Sequence, residues 1–352
     1  MRSCVRFGAV GLALVISSVG LDAAKIVLVV GGGGGGIGSP AAEATIRTPF
    51  ATEFDPAGTM YIVEMVPGNR LLRIDPKGCL EHIAGTGEAG LAGDGGPALS
   101  AQFHGPHNIA VLPDGNVLVA DTWNGCVRKV DVKASTVSTI PGFSVPPDKA
   151  KGGGPYCITL DPAGKTLYVA DLRRIHAIDL ATGKSKVIAG NGQKGKPEDG
   201  AKAIDAPLVD PRAVAPDHKG NVYILERGGH ALRVVEPNGR IRTVINAKGT
   251  KGLSKDGSSA ADAPLSGPKH LCIDRDDSVL VADTDNHLIL RYLPREKKIR
   301  WVAGTGTKGS EGVGGDPLRC GLNQPHGVSI HPKTGEIYIA DSMNNRVLRI
   351  SR

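Results

Sequence analysis

Six copies of one pattern divide this chain, and no other feature limits its fold as tightly. The clearest copy runs from Gly105 to Val130 (GPHNIAVLPDGNVLVADTWNGCVRKV): a proline, an apolar run, a turn at Pro113-Asp114-Gly115, a second run ending on Asp121, a turn at Asn124-Gly125 and a third run. Equivalent prolines stand at Pro49, Pro106, Pro155, Pro211, Pro268 and Pro325, separated by 57, 49, 56, 57 and 57 residues. An acid closes the second run of every copy: Glu64, Asp121, Asp171, Glu226, Asp283 and Asp341, each 15 or 16 residues after its proline. Two markers in phase over such a period specify a repeat architecture, in which each unit buries its apolar face against the next.

Each copy reads as four short strands. In the second copy they are expected at about Asn108 to Leu112, Val117 to Ala120, Val127 to Asp131 and Thr136 to Ile140, with turn residues between them. The first runs (IAVL, ITLD, VSIH) are rich in β-branched residues, as suits strands packed between neighbouring sheets. The sixth copy stops after its third strand, at Arg352, while Lys25 to Gly33 (KIVLVVGGG) matches the closing strand of the fifth copy, Lys298 to Gly306 (KIRWVAGTG), in its apolar positions and first glycine. A spare strand at one end and a missing one at the other predict an all-β, six-bladed β-propeller. Its blades are four-stranded and antiparallel, and the N-terminal strand completes the last blade, which removes an exposed sheet edge.

Residues 1–24 have Arg2 and Arg6, an apolar run from Phe7 to Gly20, then Ala23 and Ala24, the parts of a secretory signal peptide. The run is short for a membrane span. The domain reading is therefore a signal peptide over 1–24 and a single propeller over 25–352, secreted, periplasmic or held in the cell envelope, with no integral membrane span once the signal is removed. Of six cysteines, Cys4 falls in that leader. The remaining five are an odd number, so at least one thiol is unpaired.

The connectors between copies are long, with 21 residues separating Gly85 from Pro106, Gly190 from Pro211 and Gly304 from Pro325, against a usual connection of about 4 to 6. Three residues before the proline stands Ile46, Phe103, Leu208, Leu265 or Leu322, read as an apolar plug; only the connector before Pro155 has a glycine there, Gly152. The glycines between are read as turn residues, since no helix follows them to make a phosphate-binding loop.

GPHNIAVLPDGNVLVADTWNGCVRKV, GPKHLCIDRDDSVLVADTDNHLILRY and QPHGVSIHPKTGEIYIADSMNNRVLRI resemble the NHL repeat. The resemblance covers nearly the whole chain after Ala24. The first, third and fourth copies depart from it (EMVPGNR, DLRRIHA, ERGGHALR). It implies the six-bladed ring but leaves function open, because NHL propellers include protein binders, RNA binders, sensor domains and a metal-dependent amidating lyase.

The residues after the six prolines should line the mouth of the central channel: Phe50, His107, Tyr156, Arg212, Lys269 and His326, with Trp123 beside them. The resemblance to the amidating lyase makes His107 and His326, with His270 one step beyond Lys269, candidate ligands for a divalent ion such as zinc. A lactonase-like reading would place calcium near Glu53 and Asn108. The six repeated acids are read as structural, accepting backbone N–H groups of the turn that follows each. Basic residues number 42 and acidic 35, a net charge of +7, and removal of residues 1–24 leaves +6. An aromatic content of 4% is thin for base stacking, so no nucleic-acid partner is expected. The reading is of a monomeric binding module for a protein, peptide or cell-envelope polymer, on the face that carries the connectors. A metal-dependent lyase or hydrolase at the channel mouth is the alternative.

Overall fold

A computed structural model describes residues 24–145 and 153–351; the expected leader, apart from Ala24, lies outside them. Strand β1 (Ile26–Gly31) precedes the first blade, formed by β2 (Pro49–Phe54), β3 (Met60–Glu64), β4 (Arg70–Ile74) and β5 (Leu80–Ala84). The second blade holds β6 (Asn108–Val111), β7 (Val117–Asp121), β8 (Cys126–Asp131) and β9 (Thr136–Ser144). The third holds β10 (Cys157–Leu160), β11 (Thr166–Ala170), β12 (Ile175–Asp179) and β13 (Ser185–Ala189). The fourth comprises β14 (Pro211–Pro216), β15 (Val222–Glu226), β16 (Ala231–Val235) and β17 (Ile241–Ile245). The fifth comprises β18 (His270–Ile273), β19 (Val279–Asp283), β20 (Leu288–Leu293) and β21 (Lys298–Ala303). The last three strands are β22 (Gly327–Ile330), β23 (Ile337–Asp341) and β24 (Arg346–Ile350).

The sixth sheet has the order β1-β24-β23-β22, so the first strand of the chain completes the last blade as expected. Ile26 pairs with Ile350, Leu28 with Leu348 and Gly31 with Arg346. Ile26 and Leu348 are fully buried together, which ties ring closure to apolar burial as well as to backbone hydrogen bonds. First strands approach each other closely around the channel. At Gly327 an added Cβ would lie 2.6 Å from the Phe50 carbonyl oxygen, so only glycine admits that contact between the sixth and first blades.

The connector plugs Ile46, Phe103, Leu208, Leu265 and Leu322 are all at most 1% exposed. The connectors do more than pin themselves, because each of the five lies along the outer strand of the blade it leads into. Gly95 N–H donates to the Val137 carbonyl, Gly200 to Ile241, Gly257 to Ile299, Gly314 to Ile26 and Gly38 to Leu80. Five outer edges are thereby covered, which answers the edge-strand problem within the chain itself. Blade three is different. The strand before it, β9, runs on to Ser144, beyond the expected end at Ile140, and buries Phe143 where the other connectors place their plug. Among the described residues no connector pairs with β13, whose Ser185, Lys186 and Val187 are exposed.

Five of the repeated acids are buried and Asp171 is half-buried; all are structural, but the backbone group most of them hold is not the one expected from sequence. Glu64 accepts from Arg47 N–H at 2.6 Å, Asp121 from His104 at 2.7 Å, Glu226 from Val209 at 2.7 Å, Asp283 from Ser266 at 2.7 Å and Asp341 from Asn323 at 2.7 Å. Each donor lies two residues before the proline, so the acid fastens the incoming connector. Only Asp171 takes the following turn, from Arg173 and Arg174 N–H at 2.6 Å each. The second oxygen of the other acids meets an amide or guanidinium, such as Asn124, Arg233 or Arg346. Among the described residues no arginine pairs with Asp283, and burial pushes its carboxyl up to about 7.

Candidate functional site

All six residues that follow the marker prolines converge on one basin of about 220 Å³ at the end of the channel, together with Met65, Arg227 and His270. First strands begin and second strands end on this face, which brings the six side chains to a common level. Their chemistry divides around the ring. Blades six, one, two and three contribute a continuous run of rings: His326 stacks on Phe50 at 3.9 Å, His107 meets the Phe50 edge at 5.1 Å, and Tyr156 meets His107 at 5.2 Å. Blades four and five contribute Arg212, Arg227 and Lys269. Arg212 joins the two sides, its guanidinium lying 3.5 Å from the Tyr156 ring centre.

Trp123 stands beside this basin and does not line it. Its ring is 6.2 Å from His107 and packs over Gly105, where an added Cβ would come within 2.5 Å of the indole.

The polar groups are held by neighbours in defined roles. His326 Nε2 lies 2.9 Å from Lys269 Nζ, and because an ammonium only donates, this nitrogen is the unprotonated one; Nδ1–H then donates to the Gln324 carbonyl at 2.8 Å. His107 Nδ1 lies 2.7 Å from the Gly105 carbonyl in the same manner. Burial, with Arg212, Lys269 and Arg227 nearby, lowers the His107 pKa to about 3, and burial next to Lys269 holds His326 well below the usual imidazole range. Both rings are neutral at pH 7. Asp210 is clamped between Arg212 Nε at 2.8 Å and Arg227 Nε at 2.6 Å.

Asn108 on β6 and His270 on β18 come from opposite blades of the ring and meet across its axis, Nδ2 to Nε2 at 2.9 Å. Asn108 Oδ1 accepts from Ile158 N–H at 2.9 Å, which orients the amide so that its NH₂ faces the imidazole. This bar floors the basin. Glu53, half-buried by accessible surface, has its carboxyl pushed up to about 7 by desolvation.

The three histidines considered as metal ligands are thus brought to one basin, but their arrangement does not fit a divalent cation. The lone pair of His326 faces an ammonium, both ring nitrogens of His270 are engaged, Nδ1 by Val328 N–H at 3.3 Å and Nε2 by the Asn108 amide at 2.9 Å, and three cationic side chains line the same space. Among the described residues no group of three or more His, Cys, Asp or Glu side chains has metal-binding geometry.

Met65 and Arg227 escaped the sequence reading, though a signal was present. Each directly follows its strand-closing acid, in two of the copies that depart from the repeat. In regular copies that position is Thr or Ser, whose hydroxyl bonds to the next blade's proline carbonyl, as Thr122 to Pro155 at 2.6 Å and Ser342 to Pro49 at 2.6 Å. Departure from a structural role marks the positions freed to face the basin.

The sequence pattern of the Teneurin NHL domain matches residues 95–352, nearly three quarters of the chain. The chain belongs to the NHL family. Human Teneurin-1 is 29% identical over 228 residues, covering 59% of this chain and 8% of that protein, and the chain spans about a tenth or less of the teneurins it matches. Among solved structures, a Bacteroides thetaiotaomicron protein of unknown function superposes with a TM-score of 0.71 at 15% identity, covering 94% of this chain and 76% of its own. A streptogramin B lyase gives a TM-score of 0.53 at 13% identity over 93% and 97% of the two chains. At these identities the structural likeness establishes a shared ring. NHL propellers are interaction modules, and among the described residues no helix is long and apolar enough to cross a membrane.

Proposed function

We propose that this NHL propeller is an exported, monomeric binding module whose ligand, a protein, peptide or cell-envelope polymer, enters the basin at the channel mouth. The observation that supports this reading most is the convergence of six side chains, one per blade, on a floored basin of about 220 Å³. The connectors lie along blade edges, which shifts recognition from them to the mouth itself. A catalytic reading is weaker. Both mouth histidines donate Nδ1–H to carbonyls of their own chain segment, and His326 Nε2 is occupied by Lys269, so neither presents a nucleophile and base as a pair.

The test is a panel of displayed peptides and envelope glycans against purified protein, read by tryptophan fluorescence and by calorimetry. Ligands selected by the wild type should lose binding to Phe50→Ser and Tyr156→Ala and be recovered unchanged by mass spectrometry. Ligands held equally by both variants place recognition elsewhere, and recovery of a converted product makes the protein an enzyme.

A further inference from the structure

We infer that the mouth basin is a carboxylate receptor, taking the carboxylate of a small organic acid or a peptide terminus against blades four and five and its hydrocarbon part against the rings of the other blades. The inference rests on the mouth being the binding site.

Charge balance is the first ground. Arg212, Arg227 and Lys269 line the basin, and the acids next to them are Asp210, clamped between the two arginines, and Asp285, whose field reaches Lys269. Three positive charges face two negative ones, and the neighbouring imidazoles add no negative charge. An anion therefore completes the site, and a cation is repelled from it.

Donor geometry is the second. Arg212 and Arg227 each give Nε to Asp210, which leaves the terminal NH₂ groups, the fork that matches a carboxylate. Among the described residues His326 is the hydrogen-bond partner of the Lys269 ammonium, a group with three N–H donors. His326 holds that ammonium at the basin by offering a neutral acceptor. A carboxylate in its place would cancel the charge, so the imidazole keeps Lys269 both placed and unneutralised.

The third ground is the opposite wall. Phe50 and Tyr156 are each 7% exposed and, with Met65, present apolar surface within the same enclosed volume. A bare inorganic ion would leave that wall facing water, whereas an acid with a phenyl or short alkyl body fills both halves.

Calorimetric titration of the full chain at pH 7 and low ionic strength tests this with benzoate, benzylamine, phosphate and a short peptide ending in phenylalanine, the last as free acid and as C-terminal amide. Benzoate should bind saturably, with a Kd at or below about 1 mM. Phosphate should bind more weakly, and benzylamine should not bind. If benzoate binds and the peptide acid does not, the source is a free acid; if both bind and the amide fails, peptide termini are also taken. Lys269→Met and the half-exposed Arg227→Gln should each weaken benzoate by about tenfold or more, the loss of one charge-assisted donor. Benzylamine or the amide binding as well as the acids, phosphate binding more tightly than benzoate, or both variants binding like wild type would overturn the inference. If panel ligands bind at the mouth while no carboxylate does, this inference alone fails. If benzoate binds here without displacing any panel ligand, the wider binding role fails instead.

Discussion

Replacing Phe103 with alanine tests whether the connectors are part of the ring or draped over it. Phe103 is 0% exposed and belongs to the core between blades one and two, with Tyr61, Leu71, Ala84 and Ile109. Its ring packs so tightly on Gly85 that a Cβ there would approach to 2.8 Å, and the buried Arg128 guanidinium lies 5.8 Å from its centre. Removing a fully buried phenyl costs about 3 to 5 kcal/mol through lost transfer energy and the cavity left behind. Loss of the guanidinium contact adds up to about 2 kcal/mol when desolvated. Because whole domains are stable by about 5 to 15 kcal/mol, Phe103→Ala should lower the urea midpoint far beyond experimental error, with the slope unchanged if unfolding stays cooperative. Leu99→Ala, in the same connector but 54% exposed, is the control and should change stability by less than about 0.5 kcal/mol. A loss below about 1 kcal/mol for Phe103→Ala would mean that the connector is a loose loop and its plug ornamental.

Deleting Lys25 to Val30 should expose the β24 edge and give aggregated or unfolded protein; a soluble product with an unchanged Tm would show that the ring does not depend on this closure. Asp283, with its carboxyl raised to about 7 by burial, is ionised in both folded and unfolded chains above pH 7, and on acidification the folded state takes up the proton first. Wild type should therefore gain about 2 to 3 kcal/mol relative to Asp283→Asn between pH 7 and pH 5, at about 1.4 kcal/mol per pH unit, and a pH-independent difference would refute the buried-acid reading. Hydrogen exchange should be fastest, among the outer strands, in β13, whose edge no connector covers among the described residues; protection equal to that of β9 or β17 would contradict the asymmetry.

The repeat made the ring readable because each copy states its strands in the same order, and the match of Lys25–Gly33 to Lys298–Gly306 located the closing strand. The mouth was readable for a related reason: a residue at one fixed offset from a recurring proline must face the same way in every blade. What escaped was carried by backbone or by exception. The covering of five outer edges uses main-chain groups of Gly38, Gly95, Gly200, Gly257 and Gly314, which any sequence with suitable turns could supply. The longer β9 follows from Phe143, a plug displaced from its usual offset. The acids were assigned a structural role correctly, but most hold the connector that arrives, because an inward carboxylate at the end of β3 or β7 points at the chain segment packed above it.

Ring closure also sets the order in which this protein can be made. Lys25 N–H donates to Ser351 Oγ at 3.2 Å, and Ser351 N–H donates to the Lys25 carbonyl at 2.9 Å, across a separation of 326 residues. Synthesis proceeds from the N-terminus, so β1 leaves the ribosome long before its partner β24. Until β24 has been made the earlier strand lacks that partner, and contacts of such sequence separation form slowly even then. The ring therefore stays open while the five blades between them are made. The pairing of β24 with β1 is the latch that commits the fold.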